Sequence, residues 1–158
     1  MLKTIRALVA LSLFLFFVGC GGAGDSSTVP KAQPAAASDA DIGDHVAHFS
    51  AQSTAQLPPE VARAYGIVRS KNRAMLNVSV LKKGTTTAVT ANVTVRTVNL
   101  AGQLKNVTMR KVQEGDAIYY IGETGISNRE TLIFNISITP EGATEASDVS
   151  FTREFYTN

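Results

Sequence analysis

The stretch TLIFNISI, residues 131–138, decides the fold class of this chain. Its large apolar side chains recur at every second position, as Leu132, Phe134, Ile136 and Ile138. A period of two is that of a β-strand, because successive side chains of a strand point to opposite faces. Since most of the intervening positions are polar, the pattern predicts a strand that is half-buried in an antiparallel sheet.

The same period recurs along the rest of the chain. It covers residues 76–80, 89–95 and 149–155, and turn-forming Gly, Pro and Asn residues lie between these stretches. We therefore predict an all-β domain, an immunoglobulin-like or fibronectin-like antiparallel β-sandwich of about seven or eight strands. One short helix is predicted at residues 58–65, where Pro and Glu suit the first turn and Gly66 suits the end.

The amino-terminal residues have the pattern of an export signal. An apolar run follows Lys3 and Arg6 and ends in Phe-Val-Gly-Cys, residues 17–20, where Cys20 is the only cysteine of the chain. This junction resembles the lipobox of bacterial lipoproteins, which implies cleavage before Cys20 and lipid on its sulfur and new amino terminus. The apolar run, residues 7–18, is shorter than the roughly 20 residues needed to cross a bilayer, so a spanning helix is not expected.

These features divide the chain into three predicted parts. Residues 1–19 are the lipoprotein signal peptide, residues 20–41 are the lipidated cysteine with a flexible linker, and residues 42–158 are the β-sandwich. The linker is rich in Gly, Ala, Ser and Pro and cannot bury enough apolar surface to offset the entropy of ordering it. Gly21 after the cysteine resembles the outer-membrane sorting pattern, which implies the periplasmic face of the outer membrane.

The charge balance gives no reason to expect a nucleic-acid partner. The chain has 15 basic and 13 acidic residues, and loss of Lys3 and Arg6 with the signal leaves 13 of each. The basic isoelectric point therefore belongs largely to the export signal, and no general attraction for nucleic acid is predicted.

One segment between residues 63 and 83 is nevertheless basic throughout. It contains no acidic residue and six cations: Arg63, Arg69, Lys71, Arg73, Lys82 and Lys83. A hairpin of strands near 67–71 and 73–82 would cluster Arg69, Lys71 and Arg73 at one turn. We predict these three residues as contacts to an acidic envelope protein, lipid headgroups or a glycan surface. The alternative is that they protect an edge strand from aggregation.

The two histidines are the main candidates for metal binding. His45 and His48 lie near Asp41 and Asp44, but a spacing of three in a strand turns the two imidazoles to opposite faces. They can bind one ion jointly only if the segment bends. We therefore predict no metal site and no cofactor.

No pattern typical of catalysis is present in the sequence. The chain has no Gly-x-Ser-x-Gly elbow, and Glu114 and Asp116 flank Gly115 in the manner of a turn. We predict a non-catalytic binding or accessory module rather than an enzyme. Two alternatives stay open: a periplasmic enzyme or metal carrier that uses His45, His48 and nearby carboxylates, and a structural subunit that pairs through an edge strand along residues 149–156.

Two local motifs have simpler explanations than the ones they suggest. Residues 116–120, DAIYY, are similar to a strand of antibody domains, but no cysteine follows and the chain has no tryptophan. We predict instead that one tyrosine buries its ring while its hydroxyl caps a loop. Four Asn-x-Ser/Thr stretches are read as the polar face of strands and not as glycosylation sites: Asn77, Asn92, Asn106 and Asn135.

Four stretches together resemble a known family. They are PEVARAYGIVRSKNRAMLNVSVLKKG (59–84), EGDAIYYIGE (114–123), LIFNISITPEG (132–142) and REFYTN (153–158). They resemble the bacterial domain-of-unknown-function 4426 family, and the likeness extends over residues 42–158. The resemblance implies a small exported β-sandwich of bacterial envelopes with no established activity. The lipobox and long linker depart from the plain cleavable signal expected of relatives.

Lipidation at Cys20 can be tested directly. The wild-type chain should incorporate labelled fatty acid and fractionate with membranes, because two or more acyl chains hold a protein stably on a bilayer. Cys20→Ala should lose the label, whereas Phe17→Leu, which restores the usual lipobox residue, should keep it. Absence of fatty-acid label from the wild-type chain would show that the lipid anchor does not exist.

Overall fold

The computed structural model describes residues 38–158 of the chain. The predicted signal peptide, the lipidation at Cys20 and most of the predicted linker lie outside the described residues. Within the described part, no helix has the length and apolar character needed to cross a membrane.

The described residues form two antiparallel sheets and one short α-helix. The first sheet has the order β1-β2-β3-β7-β6, and the second has the order β5-β4-β8-β9. The strand bounds are β1 Asp39–Ile42, β2 His45–Ser53, β3 Arg73–Lys82, β4 Ala91–Asn99, β5 Leu104–Lys105, β6 Arg110–Glu114, β7 Ala117–Gly125, β8 Glu130–Pro140 and β9 Ser147–Phe155. A 3₁₀ turn at Thr54–Gln56 and the helix α1, Pro59–Ala64, follow β2.

The predicted antiparallel β-sandwich is confirmed, with small differences at its edges. The strands in the described part number nine rather than seven or eight. Strand β1 begins at Asp39, so the folded part starts inside the predicted linker and not at residue 42. Its pairing with β2 closes through a two-residue turn in which Gly43 has a φ of +69°, a geometry that suits a tight hairpin.

The hairpin predicted for residues 67–71 and 73–82 is wrong. Strand β3 pairs with β2 and β7, and residues 67–70 form an irregular loop. The buried Thr54 holds this loop, because its hydroxyl contacts the Val68 carbonyl at 2.9 Å and accepts from the Ser70 N–H at 2.9 Å. These bonds satisfy the loop backbone without a strand partner.

The core lies between the two sheets and matches the predicted alternation. The inward side chains of β3 and β8 are at most 1 % exposed: Leu76, Val78, Val80, Leu132, Phe134, Ile136 and Ile138. Phe151 of β9 bridges the sheets, since its ring centroid lies 4.9 Å from those of Phe49 and Phe134. Ring pairs at this separation add to the stabilisation that burial provides.

One tyrosine buries its ring as the sequence predicts, but its hydroxyl bonds to a strand of the other sheet and not to a loop. The ring of Tyr120 is buried, and its hydroxyl accepts a hydrogen bond of 2.7 Å from the backbone N–H of Ala91 at the start of β4. The buried phenol thus fixes the spacing between β7 of one sheet and β4 of the other.

Gly122 permits a close approach on the inner side of β7. The segment that joins β5 to β6 crosses over this residue, and a Cβ at Gly122 would lie 2.6 Å from Met109 Sδ and 2.7 Å from Val107 Cγ1. The Thr108 carbonyl oxygen would be 3.1 Å away. Glycine is therefore required for this crossing segment to close the side of the sandwich.

Gly122→Ala should lower the free energy of unfolding by about 1–3 kcal/mol, because the added methyl overpacks the crossing segment. Gly125→Ala is the matched control, since a Cβ at Gly125 of the same strand meets no atom within 4 Å. Denaturant unfolding of both variants measures the difference. Equal stability of the two would mean that the crossing segment does not pack on Gly122.

Candidate functional site

The sandwich has two ends with different connections. The loop end is defined by residues 54–72, 100–103, 126–129 and 156–158, and the turn end by the connections 43–44, 83–90, 115–116 and 141–146. Because the strands are antiparallel, each set of connections gathers at one end of the sheets. The two ends can therefore be compared as surfaces.

The exposed large apolar side chains of the described residues lie in the loop-end connections or, for Leu104, directly after one of them in β5. They are Val68, Leu100, Leu104 and Tyr156, each between 60 % and 74 % exposed. Leu104 also borders a groove with Asn72 of the β2–β3 connection and Ile126 of the β7–β8 connection. Exposed apolar side chains that gather on one surface mark interaction sites more often than scattered ones do.

The two ends also differ in charge. The loop-end connections contain the acidic Glu60 and four basic residues, Arg63, Arg69, Lys71 and Arg129. The turn-end connections contain the basic Lys83 and four acidic residues, Asp44, Asp116, Glu141 and Glu145. Charge thus varies from positive to negative along the strand direction, and the apolar side chains occupy the positive end.

The predicted residues Arg69, Lys71 and Arg73 lie together at the loop end, within a loop and the first position of β3. The Arg69 guanidinium donates to the Ala55 carbonyl at 2.8 Å, which fastens the loop to the 3₁₀ turn. Arg73 forms an ion pair of 3.1 Å with Glu123 of β7, so its charge is locally compensated. The ammonium of the exposed Lys71 makes no ion pair with the described residues.

Glu130, the first residue of β8, holds connections of the loop end through several polar contacts. Its carboxylate forms an ion pair of 2.7 Å with Lys105 and accepts from the Ser127 N–H at 2.8 Å and the Asn99 amide at 3.2 Å. Burial by itself raises the pKa of this carboxyl, but the hydrogen bonds from Lys105, Ser127 and Asn99 outweigh it and lower the pKa. Glu130 therefore joins the β4–β5 and β7–β8 connections.

A separate apolar pocket lies between α1 and the outer face of the five-stranded sheet. We call it the α1 pocket. Val61 and Tyr65 line it from the helix side, and Met75, Asn77, Tyr119 and Ile121 form its floor, within a volume of about 120 Å³. Strands β3 and β7 turn these floor residues outward because their neighbours in the sequence point into the core.

Two side chains of β6 act on the end of the helix that covers this pocket. The Arg110 guanidinium of β6 donates to the Tyr65 carbonyl at the end of α1. The nearby carboxylate of Glu114 favours the protonated form of the Tyr65 hydroxyl and, with a smaller effect of burial, raises the pKa of Tyr65. Asn77 borders the pocket, but its Oδ1 atom is buried and has no hydrogen-bond partner among the described residues.

The histidines do not converge. His45 and His48 lie on opposite faces of β2, and His45 is half-buried while His48 is exposed. Among the residues that the structure describes, no group of three or more His, Cys, Asp or Glu side chains is arranged to hold a metal ion. The two imidazoles therefore do not form the shared site that the alternative of an enzyme or metal carrier requires.

Strand β9 is an edge strand, as the structural-subunit alternative requires. It pairs with β8, and Ser147–Phe155 forms the border of the four-stranded sheet. Arg153 lies opposite Leu132, on the same face as the buried Phe151 and Phe155, yet it is exposed. An inward-facing charge on an edge strand disfavours pairing with another strand.

Sequence reasoning missed Asn77, Glu130 and the exposed apolar residues as candidate functional residues. Asn77 is correctly placed on the polar face of β3, but the pattern of a strand does not reveal that a helix covers that face. Glu130 follows a turn and had no distinguishing motif. The apolar residues of the loops were available in the sequence, since Leu100 and Leu104 flank a Gly-containing turn.

The fold and these surfaces define a small antiparallel β-sandwich domain with a helix-covered pocket on one outer face. A family model described as "Domain of unknown function (DUF4426)" matches residues 39–158. The chain belongs to the DUF4426 family, as the resemblance in the sequence predicts. No functionally curated protein matches the chain.

Solved structures that are similar to this chain include the following two. A DUF4426 family protein from Pseudomonas aeruginosa PAO1 is 35 % identical, with a TM-score of 0.66 over 76 % of this chain and 94 % of the other. FetP from uropathogenic Escherichia coli strain F11 is 11 % identical, with a TM-score of 0.55 over 77 % of this chain and 94 % of the other. At that identity the second likeness concerns the fold alone.

The Glu130 cluster makes stability depend on pH in a defined direction. Because the folded-state pKa lies below the ordinary value of 4.5, the carboxylate stabilises the fold above about pH 4.5, and this contribution is lost as the pH falls through the folded-state pKa. Glu130→Gln should lower the free energy of unfolding by about 1–2 kcal/mol at neutral pH.

The difference between wild type and Glu130→Gln should shrink as the pH falls below about 4.5. Glu141→Gln at the turn end is the matched control, and it should follow the wild-type profile. Urea unfolding between neutral and acidic pH measures all three chains. A Glu130→Gln deficit that stays constant across this range would contradict the assigned ion pair.

Proposed function

We propose that this chain is a non-catalytic binding module of the bacterial envelope, tethered by lipid at Cys20 and docked through its loop end on an anionic lipid surface. The coincidence of exposed apolar side chains with basic loops at one end of the sandwich carries the proposal. Membership of the DUF4426 family is compatible with this role and supplies no activity of its own.

The combination of side chains favours lipid over a purely acidic protein or glycan surface. Lys and Arg near an anionic leaflet each contribute about 1 kcal/mol of attraction, and this attraction acts within a Debye length. Exposed residues such as Leu100, Leu104 and Tyr156 add apolar or amphipathic groups that insert at the headgroup boundary. A glycan or an acidic loop would use the charges but would leave these apolar groups in water.

The direction of β1 agrees with docking at the same end. Asp39 pairs with His48 and Ile42 with His45, so β1 runs from the loop-end side toward the turn end. The first described strand therefore begins on the loop-end side of its hairpin with β2. A linker of the predicted composition has a reach of about 25 Å, which would hold the domain close to the bilayer. The outer membrane, on its periplasmic face, is the location that we propose from Gly21.

Binding to vesicles tests the docking surface apart from the lipid anchor. A chain that begins at Gly21 lacks Cys20 and keeps both apolar clusters, since these lie within residues 38–158. It should cosediment with vesicles of phosphatidylethanolamine and phosphatidylglycerol, less so as salt rises, and not with phosphatidylcholine alone. The double variant Arg69→Glu, Lys71→Glu should weaken this binding by about 30-fold or more, because two attractions are lost.

The matched control is the double variant Lys82→Glu, Lys83→Glu at the turn end. It makes the same change in net charge and should bind the vesicles nearly as well as the wild type. An equal loss of vesicle binding in both double variants would contradict the docking surface, because net charge alone would then explain the binding. If the chain binds acidic protein or glycan from the envelope and does not bind vesicles, the docking partner is that protein or glycan and the lipid proposal is wrong.

A further inference from the structure

The outer face of the four-stranded sheet has a row of apolar side chains near the loop end. Leu104 of β5 lies opposite Val98 of β4, and Val98 lies opposite Ile133 of β8. Residues directly opposite each other in antiparallel strands have their side chains on the same face. Because the sequence neighbours Thr97 and Phe134 are fully buried, this row points away from the core.

The row is not used by the core. Val98 and Ile133 are only half-buried, Leu104 is exposed, and none of the three belongs to either apolar cluster of the described residues. The helix α1 packs on the other sheet, where it covers Met75 and Ile121. The outer face of the five-stranded sheet therefore has an apolar cover near the loop end, and α1 gives none to the four-stranded sheet.

The turn between β4 and β5 extends the row toward the loop end. Asn99 Oδ1 accepts hydrogen bonds from the backbone N–H groups of Ala101 and Gln103, at 3.1 Å and 2.9 Å. These bonds hold the turn in one conformation, in which Leu100 is exposed. We call the row and this residue the β5 corner, which consists of Val98, Leu100, Leu104 and Ile133.

The charges beside the β5 corner are positive. Residues 91–105 contain two cations, Arg96 and Lys105, and no acidic residue. Lys105 is paired with Glu130, whereas Arg96 is exposed and makes no ion pair with the described residues. Arg96 lies on the same face as Val98 and two residues before it, so it is about 7 Å farther from the loop end.

The acidic side chains of this outer face lie at its other border. Asp148 and Glu154 belong to β9, which is two strands, or about 10 Å, from β4. A protein interface normally has a polar rim around an apolar centre, whereas the apolar row runs to the edge of the sheet at Leu104. An apolar border with a cation about 7 Å behind it matches a bilayer surface, where apolar groups enter by about 5–10 Å and phosphates lie above them.

We propose that the β5 corner is the part of the domain that enters the anionic lipid surface, so that the domain lies tilted, with β5 toward the bilayer and β9 away from it. This inference rests on the proposed function, which assigns the loop end as a whole to the lipid. It adds an orientation: Leu104 and the turn before it reach the headgroup boundary, Arg96 meets lipid phosphates, and Tyr156 at the β9 border lies farther from the acyl chains.

Single tryptophan residues test this orientation, because the chain has no tryptophan of its own. Leu104 and Tyr156 are matched positions, since both belong to the loop-end set and are 66 % and 60 % exposed. In the chain that begins at Gly21, bound to vesicles of phosphatidylethanolamine and phosphatidylglycerol with brominated acyl chains, Leu104→Trp should be quenched about twofold or more as strongly as Tyr156→Trp. Equal quenching, or stronger quenching at position 156, would overturn the tilt.

A pair of uncharged substitutions tests the apolar row itself. Val98→Thr, Ile133→Thr keeps β-branched residues in both strands and should weaken vesicle binding about 10-fold, because apolar groups no longer leave water. The matched control is Val46→Thr, Leu81→Thr, which changes two half-buried residues that lie opposite each other on the outer face of the five-stranded sheet. The control should bind as the wild type does, and urea unfolding should show that both variants are folded.

The outcomes separate this inference from the proposed function. If the wild-type chain binds no vesicles, both are wrong. If binding falls in Arg69→Glu, Lys71→Glu and is unchanged in Val98→Thr, Ile133→Thr, only the β5 corner is wrong. An equal loss in the two threonine variants also overturns it. If Val98→Thr, Ile133→Thr does not fold, the tryptophan comparison decides.

Discussion

The mutual burial of β3 and β8 is the constraint on which the rest of the structure depends. Their inward side chains are at most 1 % exposed and meet between the sheets. The chain has a single cysteine, so no disulfide within the chain assists them. Apolar contact and a few polar links, such as the bond from Ala91 to Tyr120, therefore hold the sheets together. The other strands contribute further side chains to the same core cluster.

Because the inner faces of both sheets form the core, a binding site is expected on the outer faces or in the connections. Close-packed interiors leave few voids, and the side chains of β3 and β8 that face the core are at most 1 % exposed. The connections and outer faces are free of that demand. One outer face gains a helix because Leu57, Ala62 and Ile67 pack against Ile121 of β7. The α1 pocket exists where this small second cluster fills the space incompletely.

Strand periodicity made the fold predictable. It did not predict which segments pack on the outer faces of the sheets. The alternation in β8 and the helix before Gly66 are local patterns and were read correctly. Strand β1 was not predicted because its Asp and Ala residues have the composition of a linker. The cluster of Arg69 and Lys71 follows from sequence proximity, whereas the ion pair of Arg73 with Glu123 joins residues 50 positions apart. No local pattern contains such a pairing.

Two buried side-chain oxygen atoms of the described residues have no hydrogen-bond partner, and each of them lowers the stability of the fold. Thr97 Oγ1 lies on a fully buried residue of β4, where no solvent or ligand reaches it. Its unsatisfied hydroxyl only reduces stability. Asn77 Oδ1 is equally inaccessible, although its residue borders the α1 pocket. The same chemical deficit therefore weakens the fold at both residues.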